Sequence, residues 1–178
     1  CINLLGQVSI PFVYDGIKIT GIRAVVFVRE GNRFKYGLID LQNKPLIPLQ
    51  YQDIHEIGSL RYAVENTNSK TALFSEQGNQ ITEFSIDSVS IFHQGLAFIY
   101  QGFKMGVIDR EGEIKVQPLY HSIRIEQDGT IALKKADEWI ILEGENREIK
   151  KIEADQLIPV GQDYKITLPQ SLLEDART

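Results

Sequence analysis

The chain has 178 residues, of which 43% are hydrophobic and 24% charged, and its formal net charge is −5 at pH 7. This length and composition suit a globular protein that can bury a sizeable core without disulfides or metal. The acidic balance, with no run of Lys and Arg longer than two, argues against nucleic acid and anionic membrane surfaces as partners. No apolar stretch approaches the roughly 18 residues that a membrane-spanning helix requires.

A partial copy of a repeated unit occupies residues 1–34. Residues 6–14 match residues 43–51 without a gap. In this register Cys1 takes the position of Leu38, in the middle of a strand, so we expect the sequence to begin inside a repeat. A lipid-anchored Cys1 is the alternative that its terminal position raises. A single cysteine cannot form an internal disulfide, so the compartment stays open.

Four further copies follow, each about 34 residues long. Their first apolar runs begin at Lys35, Lys70, Lys104 and Glu138. A fixed period of this size is typical of repeat architectures, in which neighbouring units bury a shared core. We expect repeats over residues 35–69, 70–103, 104–137 and 138–168, which together with residues 1–34 form one domain over residues 1–168.

The repeats have the pattern of β-strands. Their apolar runs are four to eight residues long, rich in Ile, Val, Leu, Phe and Tyr, and separated by turn residues every 8 to 12 positions. The first turn of each copy begins with a short polar or acidic residue and has Gly or Asn at its fourth position, which tolerates a left-handed backbone. These turns are 40–43, 75–78, 109–112 and 143–146. The pattern predicts an all-β fold with about three short antiparallel strands in each repeat.

The second strand of each copy is followed by a four-residue segment that reads Tyr-x-x-Ile in copies one and three, Ile-x-x-Val in copy two and Ala-x-x-Leu in copy four. Pro11, Pro48 and Pro118 precede this segment and, because proline lacks a donor for the ladder, should end the strand or lie at a sheet edge. We expect the segment itself, for example Tyr51 to Ile54, to form a bend or a short helical turn. Its Tyr and Ile are expected to fill the core between repeats.

These residues resemble the WG-repeat family, also called KWG repeats, which are β-rich bacterial repeats. The resemblance rests on Lys35-Tyr36-Gly37-Leu38-Ile39-Asp40 through Pro48, Tyr51 and Ile54, and on Lys104-Met105-Gly106-Val107-Ile108-Asp109 through Gly112, Pro118, Tyr120 and Ile123. Copies two and four depart from the pattern, since Ala72 and Ile140 replace the glycine. The family has no shared catalytic residue, so the resemblance implies a β-repeat fold without a particular reaction.

Residues that can carry chemistry are scattered over different repeat positions. His55, His93 and His121 have no metal-ligand spacing, and we expect them in loops or on the surface. The acidic run Asp109–Glu113 could suggest calcium, but it is too short for a calcium loop and coincides with a turn. We therefore expect no enzymatic activity, no catalytic or metal-binding residues and no cofactor.

The aromatic residues recur at related positions of the repeats. They are Tyr36, Tyr51, Tyr62, Tyr120, Trp139 and Tyr164. Exposed along one line, they would form a surface for a glycan or a peptide; buried, they belong to the repeat core, which we favour because aliphatic residues take the same positions in other copies. Residues 169–178 leave the repeat pattern, and Ser171 and Glu174 have the spacing of a helix capping box, so we expect a cap or a tail.

The sequence predicts an open, solenoid-like array of repeats, with a propeller-like closure as the alternative. Repeat arrays present extended surfaces whose copies can specialise. We therefore expect a non-catalytic interaction module of a larger bacterial protein, with a protein as its partner. A glycan-binding accessory domain is the alternative function, and the sequence singles out no binding residues for either.

Overall fold

The computed structural model describes residues 1, 6, 9–125, 131–135, 138–143, 148–153, 157–160 and 163–166, with side chains as far as residue 134. Within these ranges the chain contains strands, turns and bends but no helix, which confirms the all-β prediction. The chain divides into two compact units, Cys1–Pro118 and Leu119–Thr178. The prediction of one repeat domain over residues 1–168 stays a prediction.

The first unit contains three antiparallel sheets, each a meander of strands that are consecutive in sequence. The first sheet consists of β1 (Gly16–Thr20), β2 (Arg23–Glu30), β3 (Arg33–Asp40) and β4 (Pro45–Tyr51). The second sheet consists of β5 (Asp53–Glu56), β6 (Arg61–Glu65) and β7 (Thr71–Ser75). The third sheet consists of β8 (Ser88–Val89), β9 (Leu96–Gln101), β10 (Lys104–Asp109) and β11 (Ile114–Tyr120), whose last two residues belong to the second unit.

The described residues of the second unit form two antiparallel sheets. One consists of β12 (Ser122–Ile125), β13 (Ile131–Lys135), β14 (Glu138–Glu143) and β15 (Glu148–Glu153). The other pairs β16 (Leu157–Val160) with β17 (Asp163–Ile166). The prediction of about three short antiparallel strands per repeat is thereby confirmed, since each full repeat supplies three or four. The expected cap or tail at residues 169–178 lies outside the described residues.

Each sheet of the first unit combines strands from two neighbouring repeats. In the second sheet, β5 and β6 come from residues 35–69 and β7 from residues 70–103. The same offset holds in the first and third sheets. Because one repeat alone supplies only part of a sheet, neighbouring repeats must fold together.

The turn chemistry expected from the sequence is confirmed in copy one. The backbone N–H groups of Gln42 and Lys44 donate to Oδ1 of Asp40 at 2.9 and 2.8 Å. Asn43 has a φ of 66°, and its N–H donates to the carbonyl of Asp40 at 3.1 Å. The short polar side chain thus holds the loop while the fourth residue supplies the left-handed backbone.

The same turn recurs in copies two and three. Gly78 and Gly112 have φ values of 86° and 88°. Ser75 Oγ and Asp109 Oδ1 accept the equivalent backbone N–H groups. The fourth predicted turn, 143–146, lies mostly outside the described residues.

The edge strand β4 is bulged where it passes Gly37. Tyr36 pairs with Tyr51 and Leu38 with Ile47, so a single residue of β3 faces three of β4. A Cβ on Gly37 would lie 3.0 Å from the carbonyl oxygen of Ile47. Pro48 lies inside this bulged stretch, so it does not end the strand. It lies on an edge strand, which is the second of the two positions predicted for this proline.

The repeats that lack the glycine differ at this point. Copy two has Ala72, and its sheet has only three named strands. Copy four has Ile140, which pairs with Lys151 in an uninterrupted ladder between β14 and β15. In copies one and three, a glycine lets the fourth strand of the sheet lie close to the third. In copy four the residue with a side chain lies in an uninterrupted ladder, and in copy two the sheet has no fourth strand among the described residues.

The Tyr-x-x-Ile segment carries the chain from one sheet to the next. In copy one Tyr51 ends β4, Gln52 forms a bend and Ile54 lies in β5. The expected bend is therefore present, but its second half is a strand and not a helical turn. Tyr51 and Ile54 pack in one cluster with Val64 and Phe74, as expected for residues that fill the core between repeats.

Two arginines connect neighbouring sheets of the first unit. Arg23 of the first sheet bonds a turn of the second sheet, and Arg61 of the second sheet bonds a turn of the third. Nε of Arg23 donates to the carbonyl of Glu76 at 2.9 Å, and Nε of Arg61 donates to the carbonyl of Arg110 at 2.7 Å. Arg23 and Arg61 both begin the second strand of their sheet, and Glu76 and Arg110 are both second residues of a turn. The same arginine-to-turn hydrogen bond therefore occurs at equivalent positions of two successive repeats.

The start of the chain differs from the expectation for Cys1. Cys1 is exposed and lies outside any strand, and its carbonyl accepts the N–H of Ser9 at 2.9 Å. Ile10 and Tyr14 from the partial copy nevertheless pack against Ala24 and Val26 in the core of the first sheet. Residues 9–14, which match the strand β4 of copy one in sequence, thus contribute to the core without forming a strand themselves.

Candidate functional site

A groove of about 470 Å³ lies in the first unit, beside the β2–β3 hairpin. This volume is within the range of ligand-binding pockets. It is lined by Glu30, Arg33, Phe34, Lys35, Tyr36, Gln50, Tyr51, Gln52 and Thr67. We call it the aromatic groove. Its walls come from the first sheet and from the β6–β7 turn of the second sheet.

Phe34 presents the most exposed ring of the aromatic groove. Its side chain is 45% exposed. The ring packs edge-on against Phe27, with centroids 5.5 Å apart and planes at 88°, and Phe27 in turn lies 5.3 Å from Tyr36. Because strand pairing and ring contacts hold Phe34 in place, a ligand would not have to order this side chain.

The opposite wall is built around Tyr51. Its ring stacks on Phe84 with centroids 5.8 Å apart and contacts Phe74 edge-on at 6.0 Å. Nε2 of Gln52 donates to the carbonyl of Thr67 at 3.4 Å, which links the wall to the second sheet. Both walls are therefore anchored in the folded core.

The groove is lined by two positively charged residues and one negatively charged residue. Nζ of Lys35 lies 2.7 Å from Oε2 of Glu30, so these two side chains neutralise each other. Arg33 is exposed, and within the described ranges no carboxylate forms an ion pair with it. The lining thus carries a net charge of +1 on a chain whose net charge is −5.

The three histidines occupy separate places in the fold. His55 lies in β5 with Nδ1 3.3 Å from Oδ2 of Asp53, and this hydrogen bond holds the pKa of Asp53 below its usual value. His93 lies in the turn before β9, and His121 lies in the second unit directly after β11. All three are exposed, and none lines the aromatic groove.

The acidic run Asp109–Glu113 is a turn, as expected. Oδ1 of Asp109 accepts backbone N–H groups from Glu111 and Glu113, while Nζ of Lys115 lies 3.0 Å from Oδ2 and also bonds Glu113. These carboxylates already have a cation of the chain beside them. In the part of the chain that the structure describes, no cluster of His, Cys, Asp and Glu could hold a metal. The expectation that the chain is not an enzyme stays a prediction.

The described tyrosines do not form an exposed line. Tyr62 is only 2% exposed, and its hydroxyl shares a 2.9 Å hydrogen bond with Oγ1 of Thr20. Burial raises the pKa of Tyr62. Tyr36, Tyr51 and Tyr120 are half-buried. The side chains of Trp139 and Tyr164 lie outside the described residues.

The sequence analysis singled out Tyr36 and Tyr51 but not Arg33 and Phe34. One signal was present, since a phenylalanine precedes the lysine at both Phe34-Lys35 and Phe103-Lys104. Phe103 is 97% exposed. Of these two phenylalanines only Phe34 lines the groove, so the recurrence of phenylalanine before lysine does not by itself mark a binding site.

Among the described residues, no helix is long and apolar enough to cross a membrane. The crystal structure of HIRA(644-1017) is similar to this chain with 9% sequence identity and a TM-score of 0.42, over 77% of this chain. This chain spans about half, 52%, of the length of that structure. A comparison with curated proteins gave no match.

Two segments of the chain match the family described as the WG containing repeat. They are residues 36–59 and 105–139. The first contains Tyr36, Gly37 and Tyr51, and the second contains Gly106 and Tyr120, on which the sequence resemblance rested. The match confirms the resemblance: copies one and three of this β-repeat chain carry the pattern of the WG-repeat family.

Proposed function

We propose that this repeat module is a non-catalytic protein-interaction module of a larger bacterial protein and that the aromatic groove is its binding site. The observation that carries the proposal is the exposed ring of Phe34 beside Arg33, which has no ion-pair partner among the described residues, inside a groove of about 470 Å³. Aromatic residues and arginine are enriched where proteins bind one another, because each offers a large contact area together with polar recognition.

The groove is also pre-organised. Phe34 is held by Phe27, and Tyr51 is held by Phe84, so both apolar walls exist before a ligand arrives. Rigid walls reduce the ordering cost of association. A glycan-binding module would be better supported by a line of exposed tyrosines, and Tyr62 is buried. A glycan is therefore kept as an outcome of the test.

The test is site-specific photo-cross-linking in lysate of the source cells. A photoreactive benzoylphenylalanine replaces Gln50, which is exposed and lines the groove. The matched control carries it at Gln117, which is exposed on the equivalent edge strand β11 and does not line the groove. We expect a protein cross-linked at position 50 and not at position 117, and mass spectrometry of the cross-linked band should find peptides of a second protein.

Two results would contradict the proposal. Equal cross-linking from positions 50 and 117 would mean that the groove is not a preferred site. A product at position 50 that contains no peptides of a second protein and loses its added mass after glycosidase treatment would assign the groove to a glycan instead.

A further inference from the structure

We infer that the aromatic groove takes an acidic peptide segment, with a carboxylate paired to Arg33 and a neighbouring apolar side chain packed on Phe34. This inference rests on the proposed function, because it names the chemistry of the partner at the same groove. Arg33 and Phe34 are adjacent in β3, and they offer a ligand a positive charge and an apolar ring, respectively.

The first step is the charge at the groove. Of the three charged residues that line it, Lys35 and Glu30 form an ion pair at 2.7 Å and leave Arg33 without an ion-pair partner in the described part of the chain. A guanidinium binds a carboxylate through two parallel hydrogen bonds, whereas it offers nothing to a second cation. The groove therefore complements a negative group, although the net charge of the whole chain is −5.

The second step is the apolar surface next to that charge. Phe34 directly follows Arg33, is 45% exposed and lies edge-on against Phe27. A ligand that only carried negative charge would leave this ring in water. A peptide that places Phe or Leu beside Asp or Glu would cover the ring and satisfy the guanidinium together.

The third step is the supply of polar groups for a peptide backbone. Gln50 and Gln52 both line the groove and are exposed, and each carries an amide that can donate and accept. Of these two side-chain amides, only that of Gln52 forms a hydrogen bond within the described residues, from Nε2 to the carbonyl of Thr67 at 3.4 Å. Backbone carbonyls and N–H groups of a bound segment would find partners on this wall.

The experiment uses the purified chain and an array of synthetic 12-residue peptides. Each acidic peptide has one Phe or Leu flanked by Asp and Glu, and its matched neighbour has Asn and Gln in place of the acids. We expect the acidic peptides to bind about tenfold better than the amide peptides, and Arg33→Gln to remove that difference. Phe34→Ala is expected to weaken the binding of both sets.

Arg110→Gln is the matched control. Arg110 is an exposed arginine of the same unit, its side chain pairs with Glu111, and it does not line the groove. It should keep the preference for acidic peptides, and thermal unfolding should show that all variants are folded. Arg33→Lys, which keeps the charge, should keep part of the preference.

Equal binding of acidic and amide peptides, or an unchanged preference in Arg33→Gln, would overturn the inference. Failure of the whole array, together with a protein cross-linked from position 50, would reject acidic peptides as the ligand and leave the proposed function standing. Failure of both experiments would reject both proposals.

Discussion

Gly106 lies directly against the backbone of Val116: a Cβ built on Gly106 would lie 2.5 Å from the carbonyl oxygen of Val116. The equivalent pair in copy one is Gly37 and Ile47, at 3.0 Å. The glycine of the repeat motif is therefore required by the close approach of the edge strand. Its backbone φ is not positive, so conformational freedom is not the reason.

Gly106→Ala should destabilise the first unit by about 1–3 kcal/mol, because the added methyl group forces β11 away from β10. Denaturant unfolding monitored by circular dichroism measures this. Ala72→Gly is the reverse change at the same repeat position; it creates no clash, and it should cost about 1–2 kcal/mol because it deletes a buried methyl group and frees the backbone. Equal stability of wild type and Gly106→Ala would contradict the close-approach account.

Arg61→Ala should destabilise the first unit by about 0.5–1.5 kcal/mol, because the carbonyl of Arg110 loses the 2.7 Å hydrogen bond from Nε of Arg61. Arg110→Ala is the control, since the acceptor is its backbone, and it should change stability by less than about 0.5 kcal/mol. Thermal unfolding compares the two. A larger effect of Arg110→Ala than of Arg61→Ala would reject this inter-sheet tie.

Tyr62→Phe should cost about 1–3 kcal/mol, because it leaves the Thr20 hydroxyl buried without its partner. The double variant Thr20→Val with Tyr62→Phe removes both polar groups and should recover part of the loss. A double-mutant cycle from urea unfolding measures the coupling. Strict additivity of the two single changes would show that the hydroxyls do not interact in solution.

Asp87 makes stability depend on pH. The hydrogen bond from Lys70, at 2.6 Å, and the N–H of Gly102 hold the pKa of Asp87 below its usual value of 3.8. A lowered pKa stabilises the folded chain fully above pH 3.8 and ceases to do so as the pH falls through the lowered value. Asp87→Asn should therefore lower stability at pH 7 and reduce the loss of stability in acid. Melting temperatures at pH 7 and pH 2.5 test this, and parallel pH profiles would contradict it.

Local chemistry made the turns predictable from the sequence. Asp40 with Asn43, and Asp109 with Gly112, specify their loops through side chain–backbone bonds that depend on only four or five consecutive residues. The sheet composition could not be read in the same way. Whether β5 joins β4 or β6 is decided by how the strands pair in the folded chain, and the sequence period is the same in either case.

The aromatic groove was harder to anticipate for a related reason. Tyr36 and Tyr51 belong to the repeat motif, but Thr67 reaches the groove only because the second sheet lies beside the first within the unit. Arg33 becomes notable only when its lack of an ion pair is visible beside the Lys35–Glu30 pair. Such relations between side chains are tertiary and leave no periodic trace in the sequence.

Affinity capture from lysate of the source cells tests the central claim most directly, with wild type, Phe34→Ala and Phe103→Ala as parallel baits. Phe103 is the matched control, since it precedes Lys104 as Phe34 precedes Lys35 and is 97% exposed outside the groove. We expect a protein that binds wild type and Phe103→Ala equally and is lost with Phe34→Ala. Capture of the same proteins in the same amounts by all three baits would contradict a binding site at the aromatic groove.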